Sequence, residues 1–169
     1  MKKLLFVITL LGLAPISAGA DDTLARFDGG VGVIPVQGVL TATGRPVANT
    51  VRGFPPGGLP WTISRLEVEV KAGGKARVAG HGLVVAGGGS IGASLGLRVR
   101  AVLLCGPVNR SSAHFSPEVT LSTGGDFFID EALTPAPPAS CDTPALLILT
   151  GGHWLAAGIP ASFDTGTRD

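Results

Sequence analysis

The chain has 169 residues, of which 45% are hydrophobic and 15% charged, with 26 Gly and 13 Pro. That apolar share excludes a disordered chain, and so few charges among so many glycines argue against a helical bundle. A formal net charge of +1 leaves no electrostatic footprint for nucleic acid.

The chain opens with a targeting pattern. Lys2 and Lys3 form a positive n-region, Leu4 to Leu13 an apolar h-region too short to span a bilayer, and Pro15 ends it. Ala18-Gly19-Ala20 is a small-x-small cleavage site, so residues 1–20 are expected to be a signal peptide and Asp21 the mature N-terminus. No Cys follows the site, so no lipid anchor is expected. Cleavage removes Lys2 and Lys3, so Lys+Arg falls from 13 to 11 against 12 Asp+Glu, a net charge of −1. Residues 21–169 are expected to form one domain, large enough to bury about 68–70% of its unfolded surface. No later apolar run approaches the ~20 residues of a spanning helix, so no transmembrane segment is expected after signal removal.

The mature sequence reads as short strands separated by Gly and Pro. Val31 to Thr41 is apolar but interrupted by Pro35 and Gly38, which predicts an edge strand or a bulge. Val47 to Arg52 is a short second strand, and residues 54–60 form a proline-rich loop. In Trp61 to Lys71, Leu66, Val68 and Val70 alternate with charged residues, the period of a strand with one wet face. Trp61 and Ile63 have the opposite parity, so a bulge near Ser64 is needed to bring them inward.

Gly73-Gly74 predicts a hairpin turn, with Ala76 to Ala86 returning as the partner strand until Gly87-Gly88-Gly89 breaks it. Leu95, Leu97, Val99, Ala101, Leu103 and Cys105 share one parity and predict a strand with Cys105 on the core side. A second hairpin is expected over residues 119–130, turning at Gly124-Gly125. Pro135 to Pro138 is a stiff connection. A third hairpin runs from Leu146 to Ile159 through Gly151-Gly152. These elements predict an all-β fold, an antiparallel β-sandwich of immunoglobulin-like or prealbumin-like type with about seven to nine strands. The immunoglobulin Cys…Trp…Cys spacing and tyrosine corner are missing, so that family is not assigned.

Cys105 and Cys141 are the two cysteines. In an oxidising compartment an even count reads as a disulfide; two buried thiols are the alternative. A metal pair lacks a second ligand at tight spacing. The closed loop would span about 36 residues and contribute roughly 4 kcal/mol.

The residues Trp61-Thr62-Ile63-Ser64, Cys105-Gly106, Cys141-Asp142-Thr143-Pro144 and Trp154 to Ile159 resemble a group of short exported bacterial proteins of unknown function. The resemblance covers most of the mature chain. It implies export and a single domain, and it transfers no activity and no site.

Gly87 to Gly92 matches two motifs. As G-x-G-x-x-G it would be a dinucleotide loop, but strand-like alternation follows where a helix is needed, and there is no Asp or Glu between Gly92 and Pro117 for the ribose. As G-x-S-x-G it would be a nucleophile elbow, with chain order allowing Ser90, then Asp130 or Asp142, then His153. The elbow also needs a following helix, so the reading preferred is a glycine-rich loop. His81, His114 and His153 would have to converge through the fold to bind a metal, with Asp142 as a further candidate ligand. Asp126, Asp130 and Glu131 lack EF-hand spacing and read as solvated hairpin charges. Trp61 and Trp154 sit in apolar strand sequence and read as core rather than as sugar-stacking platforms. Asn109-Arg110-Ser111 is a sequon that matters only in a host with glycosylation machinery.

No catalytic, cofactor-binding or metal-binding residue is therefore assigned, and no cofactor is expected. The function expected is that of an exported, non-enzymatic β-domain, periplasmic or extracellular, binding an unidentified protein or small ligand or serving a structural role. The alternative is a small secreted serine hydrolase using Ser90 and His153.

Overall fold

The computed structural model describes residues 22–35, 39–40, 46–47 and 49–161. The expected signal peptide and its cleavage site lie outside the described residues. Among the described residues thirteen strands follow one another: β1 (Thr23–Gly32), β2 (Val39–Leu40), β3 (Pro46–Val47), β4 (Trp61–Thr62), β5 (Arg65–Lys71), β6 (Lys75–His81), β7 (Val84–Val85), β8 (Arg98–Cys105), β9 (Ser112–Phe115), β10 (Val119–Thr120), β11 (Phe127–Ala132), β12 (Ala145–Thr150) and β13 (His153–Pro160). Among the described residues the sole helical turn is a 3-10 segment at Gly88–Ser90. The fold is all-β, and every strand pair among the described residues is antiparallel.

The β5–β6 hairpin forms as its sequence dictates. Leu66, Val68 and Val70 are buried, and they face Gly80, Val78 and Ala76 across the pair. Gly73 and Gly74 make the turn with φ of 87° and 91°, values open to glycine without steric cost. The chain breaks at Ile63–Ser64, so Trp61 and Ile63 turn inward and are buried. The partner strand breaks as well: β6 ends at His81, and β7 pairs with β4 instead. Val47 to Arg52 does not continue as a strand. β3 stops at Val47, and Val51 bridges Phe54 in a tight turn.

The main sheet runs β10-β8-β12-β13-β1-β5-β6-β11, with β9 also on β8. It curls into a half-barrel around one core that includes Phe27, Leu66, Leu103, Ile148 and Leu155. β9 and β10 lie in succession along the same edge of β8. The strands expected to form a second hairpin do not pair with each other: β10 pairs with β8 and β11 with β6. The Gly124-Gly125 turn does form, with the Ser122 amide donating to the Asp126 carbonyl at 2.9 Å. A two-bond bridge between Phe115 and Thr134 then joins the two ends of the sheet at one further point.

β12 returns beside β8 after the long connection that follows β11. That connection carries Cys141. A disulfide links it to Cys105 at the end of β8, with Cα atoms 4.8 Å apart. The bond therefore pins the crossover to the strand it must return to.

β8 differs from its expected pattern. Val99, Ala101, Leu103 and Cys105 are buried as expected, but Val102 and Leu104 on the opposite face are buried too. Val51 and Phe54 of the segment 49–57 pack against the core, Phe54 meets Phe115 edge-on, and Gly57 bonds to Trp154. That segment lays an apolar cover over a face that alternation alone would leave wet. Leu95, expected on the core side, is instead 47% exposed. It lies outside β8 with a left-handed φ of 57°.

Candidate functional site

The structure does not bring the hydrolase candidates together. Ser90 ends the 3-10 turn, half-buried, and its carbonyl accepts from the Ala93 amide at 3.0 Å. His153 is exposed at the start of β13, where Nδ1 lies 3.2 Å from the Gly151 carbonyl. Asp130 on β11 pairs with Lys75 at 3.0 Å, and Asp142 is exposed beside the disulfide. No hydrogen bond between these side chains occurs among the described residues. After Ser90 the chain runs through the left-handed pair Leu95–Gly96 into β8, so no helix N-terminus supports an oxyanion.

The three histidines stand on β6, β9 and β13. Among the described residues there is no group of three or more His, Cys, Asp or Glu that would hold a metal ion. His81 is exposed, with Nδ1 3.4 Å from Asp126 Oδ1. His114 is 3% exposed, and both ring nitrogens are used. Nδ1 lies 2.8 Å from the Pro135 carbonyl and Nε2 lies 2.8 Å from the Ser112 hydroxyl. A carbonyl only accepts, so Nδ1 carries a proton. In the neutral ring Nε2 accepts from Ser112. This histidine ties β9 to the crossover connection. Asp126 acts locally, accepting the Gly82 amide at 3.0 Å.

Trp61 and Trp154 are both buried core residues. The Trp154 indole N–H donates to the Asn49 carbonyl at 2.9 Å, which satisfies the one polar group such a ring must place. Between Trp61 and His153 runs a shallow, mainly apolar groove of about 270 Å³, with Leu59 and Leu95 at its rim.

A larger open groove, of about 540 Å³, lies on the outer face of β1, β5, β6 and β11. Two cross-strand rows build it. In one, Arg26, Glu69, Arg77 and Asp130 stand side by side, alternating in charge. In the next, Asp28, Glu67, Ala79 and Phe128 stand side by side. Ala79 leaves a gap in the second row beside Phe128, which is 52% exposed. The Arg77 guanidinium sits over its ring, 5.6 Å from the centroid, a cation–π arrangement.

The charges on this face are organised around Glu69. Hydrogen bonds from Lys71, Arg26 and Thr23, in that order of effect, hold its carboxyl below the usual carboxylate range. Lys71 is raised above the ordinary lysine range by Asp22 and then by Glu69. The alternation in residues 65–71 marks this face as wet. The neighbours across it, Arg26 and Phe128, could not be read locally, because strand order decides them.

No protein-family model matches the chain, and neither a curated protein nor a solved structure matches it.

Proposed function

We propose that this is an exported, non-enzymatic β-domain that binds a protein or a small ligand in the periplasm or outside the cell. The single observation that carries the reading is the Cys105–Cys141 bond, because structural disulfides persist in oxidising compartments and are rare in the cytosol. The n-region, h-region and Ala18-Gly19-Ala20 of the sequence agree with it, as does the resemblance to short exported bacterial proteins. Among the described residues no helix is long and apolar enough to cross a membrane. The binding half of the proposal is supported by the outer groove, where an exposed aromatic ring and a charged row share a sheet face. Sheet faces of this kind present side chains at fixed spacing.

The architecture is proposed to be sandwich-like, of immunoglobulin-like or prealbumin-like type. What supports this is the antiparallel pairing and one core filled from both limbs of the curled sheet.

The test is to express the full chain in a bacterial host, separate cytoplasm from periplasm and medium, and measure intact mass. The expected product begins at Asp21, carries linked cysteines and lies outside the cytoplasm. A cytoplasmic product that retains Met1 with two free thiols would overturn the proposal.

A further inference from the structure

At the disulfide end of the fold, away from the outer groove, an open cavity of about 450 Å³ is lined by Arg52, Gly53, Val108, Asn109, Arg110 and Ser111. Two guanidinium groups line it, and among the described residues no carboxylate does.

Arg52 is held in an unusual way. Val51 and Phe54 bond to each other through both their amides and carbonyls at 2.9 Å, which closes a two-residue turn. Arg52 and Gly53 fill it with φ of 47° and 92°. Left-handed φ at both central positions is the pattern of a type I′ turn, where Asn and Gly are favoured. An arginine there is strained, and such strain gathers at functional positions.

The Arg52 side chain is half-buried and fixed. Nη1 donates to the Gly106 carbonyl at 2.9 Å and more weakly to that of Leu104 at 3.5 Å, and Nη2 donates to the Thr143 carbonyl at 2.8 Å. A guanidinium carries five N–H groups. Three are used on neutral carbonyls, so Nε–H and one Nη2–H have no acceptor among the described residues, and the positive charge has no counter-ion there. Arg110 stands across the cavity on the β8–β9 loop, exposed, with no ion-pair partner among the described residues. Asn109 and Ser111 add neutral polar groups to the lining.

We propose that this cavity binds a phosphate group. Two cations without a carboxylate match a dianion, and planar guanidinium donors suit tetrahedral oxyanions. A carboxylate would satisfy one arginine and leave the other unpaired. A free phosphate and one carried on a lipid headgroup present the same chemistry to the cavity. The proposal does not depend on the outer groove or on where the protein works.

The test uses the mature protein and calorimetric titration with inorganic phosphate, at ionic strength held constant with chloride. Saturable binding is expected, with little response to acetate. Arg110→Ala removes an exposed side chain without touching the Arg52 clamp, so it should fold normally and bind about ten-fold more weakly. Arg52→Lys keeps the charge but loses the fork, and it should bind more weakly as well. A second arm measures co-sedimentation with phosphatidylcholine vesicles that contain or lack phosphatidic acid. Phosphatidic-acid-dependent binding that Arg110→Ala removes would place the phosphate on a lipid and support the site. The proposal is overturned if neither arm shows phosphate-dependent binding, if acetate binds as well as phosphate, or if Arg110→Ala leaves the response unchanged.

Discussion

The backbone carbonyl of Trp61 occupies the space in which a side chain on Gly32 would have to begin. Gly32 pairs with Ala156 on one side of β1, while the chain after Pro60 crosses its inner face, the Trp61 amide donating to the Val33 carbonyl at 2.8 Å. A methyl group here meets backbone, which cannot rotate away. Gly32→Ala is therefore expected to destabilise the fold by about 1–3 kcal/mol. Gly58→Ala, where an added Cβ meets nothing within 4 Å, should stay within about 0.5 kcal/mol of the parent. Urea denaturation of the two variants checks the contrast. Equal effects would contradict the close approach.

Removing the disulfide should cost more than a typical core substitution. The bond closes a separation of 36 residues, which on the chain-entropy account contributes roughly 4 kcal/mol. The double variant Cys105→Ala/Cys141→Ala should lose about that much in chemical denaturation, as should the parent under reducing conditions. A loss below about 1 kcal/mol would mean that the crossover connection is held in place without the bond.

Stability should decline in acid partly through Glu69. Its carboxyl is held below the usual range by Lys71, Arg26 and Thr23. A lowered carboxyl stabilises the fold wherever it is ionised in the folded state. That contribution is fully present above the ordinary carboxylate range and is lost as pH falls through and below it. Lys71 is raised, so its contribution is present at neutral pH and lost as pH rises past the ordinary lysine range. Glu69→Gln should lower stability at pH 7 and flatten the acid limb. Thermal melts from about pH 7 to pH 3 compare the slopes; an acid limb as steep in Glu69→Gln as in the parent would remove Glu69 from this account.

Ser90 is expected not to label with an active-site serine probe, and Ser90→Ala to leave folding unchanged. Nucleophilic catalysis needs a base within about 3 Å and an aligned oxyanion hole. His153 places its Nδ1 against Gly151 instead. Stoichiometric labelling at Ser90 that His153→Ala abolishes would establish the hydrolase alternative.

The parts of the fold that were legible are those where neighbours in sequence are neighbours in space. Leu66, Val68 and Val70 with Gly73-Gly74 specify the β5–β6 hairpin, and Gly151-Gly152 specifies β12–β13. β1 was read only at its end. Ala25 and Phe27 alternate with Arg26 and Asp28 over four residues only; a bulge follows Phe27, and the inward positions Gly30 and Gly32 carry no side chain, because Leu66 and the Trp61 backbone lie against them. Alternation in β8 predicts a wet outer face, because the cover of that face comes from residues 49–57, distant in sequence. Leu95 continued the alternation of β8, yet its left-handed backbone takes it out of the strand. The β10–β11 turn is legible, but the sheet order sends its strands to different partners. Of the sites, the absence of a helix after Ser90 is legible in the alternation that follows it, whereas the separation of Ser90 from His153 is set by strand order. The Arg52–Arg110 cavity left no local trace, because a turn and a distant hairpin loop assemble it.

β1 lies between β13 and β5, so the first strand of the main sheet is hydrogen-bonded to the last. The ladder on that side of β1 has no partner until residues 156–160 are available. A chain synthesised only as far as β6 can form the β5–β6 hairpin but cannot complete the sheet. Completion waits for its closing strand, so the β1–β13 ladder can form only after β5, β6 and β11 have been made.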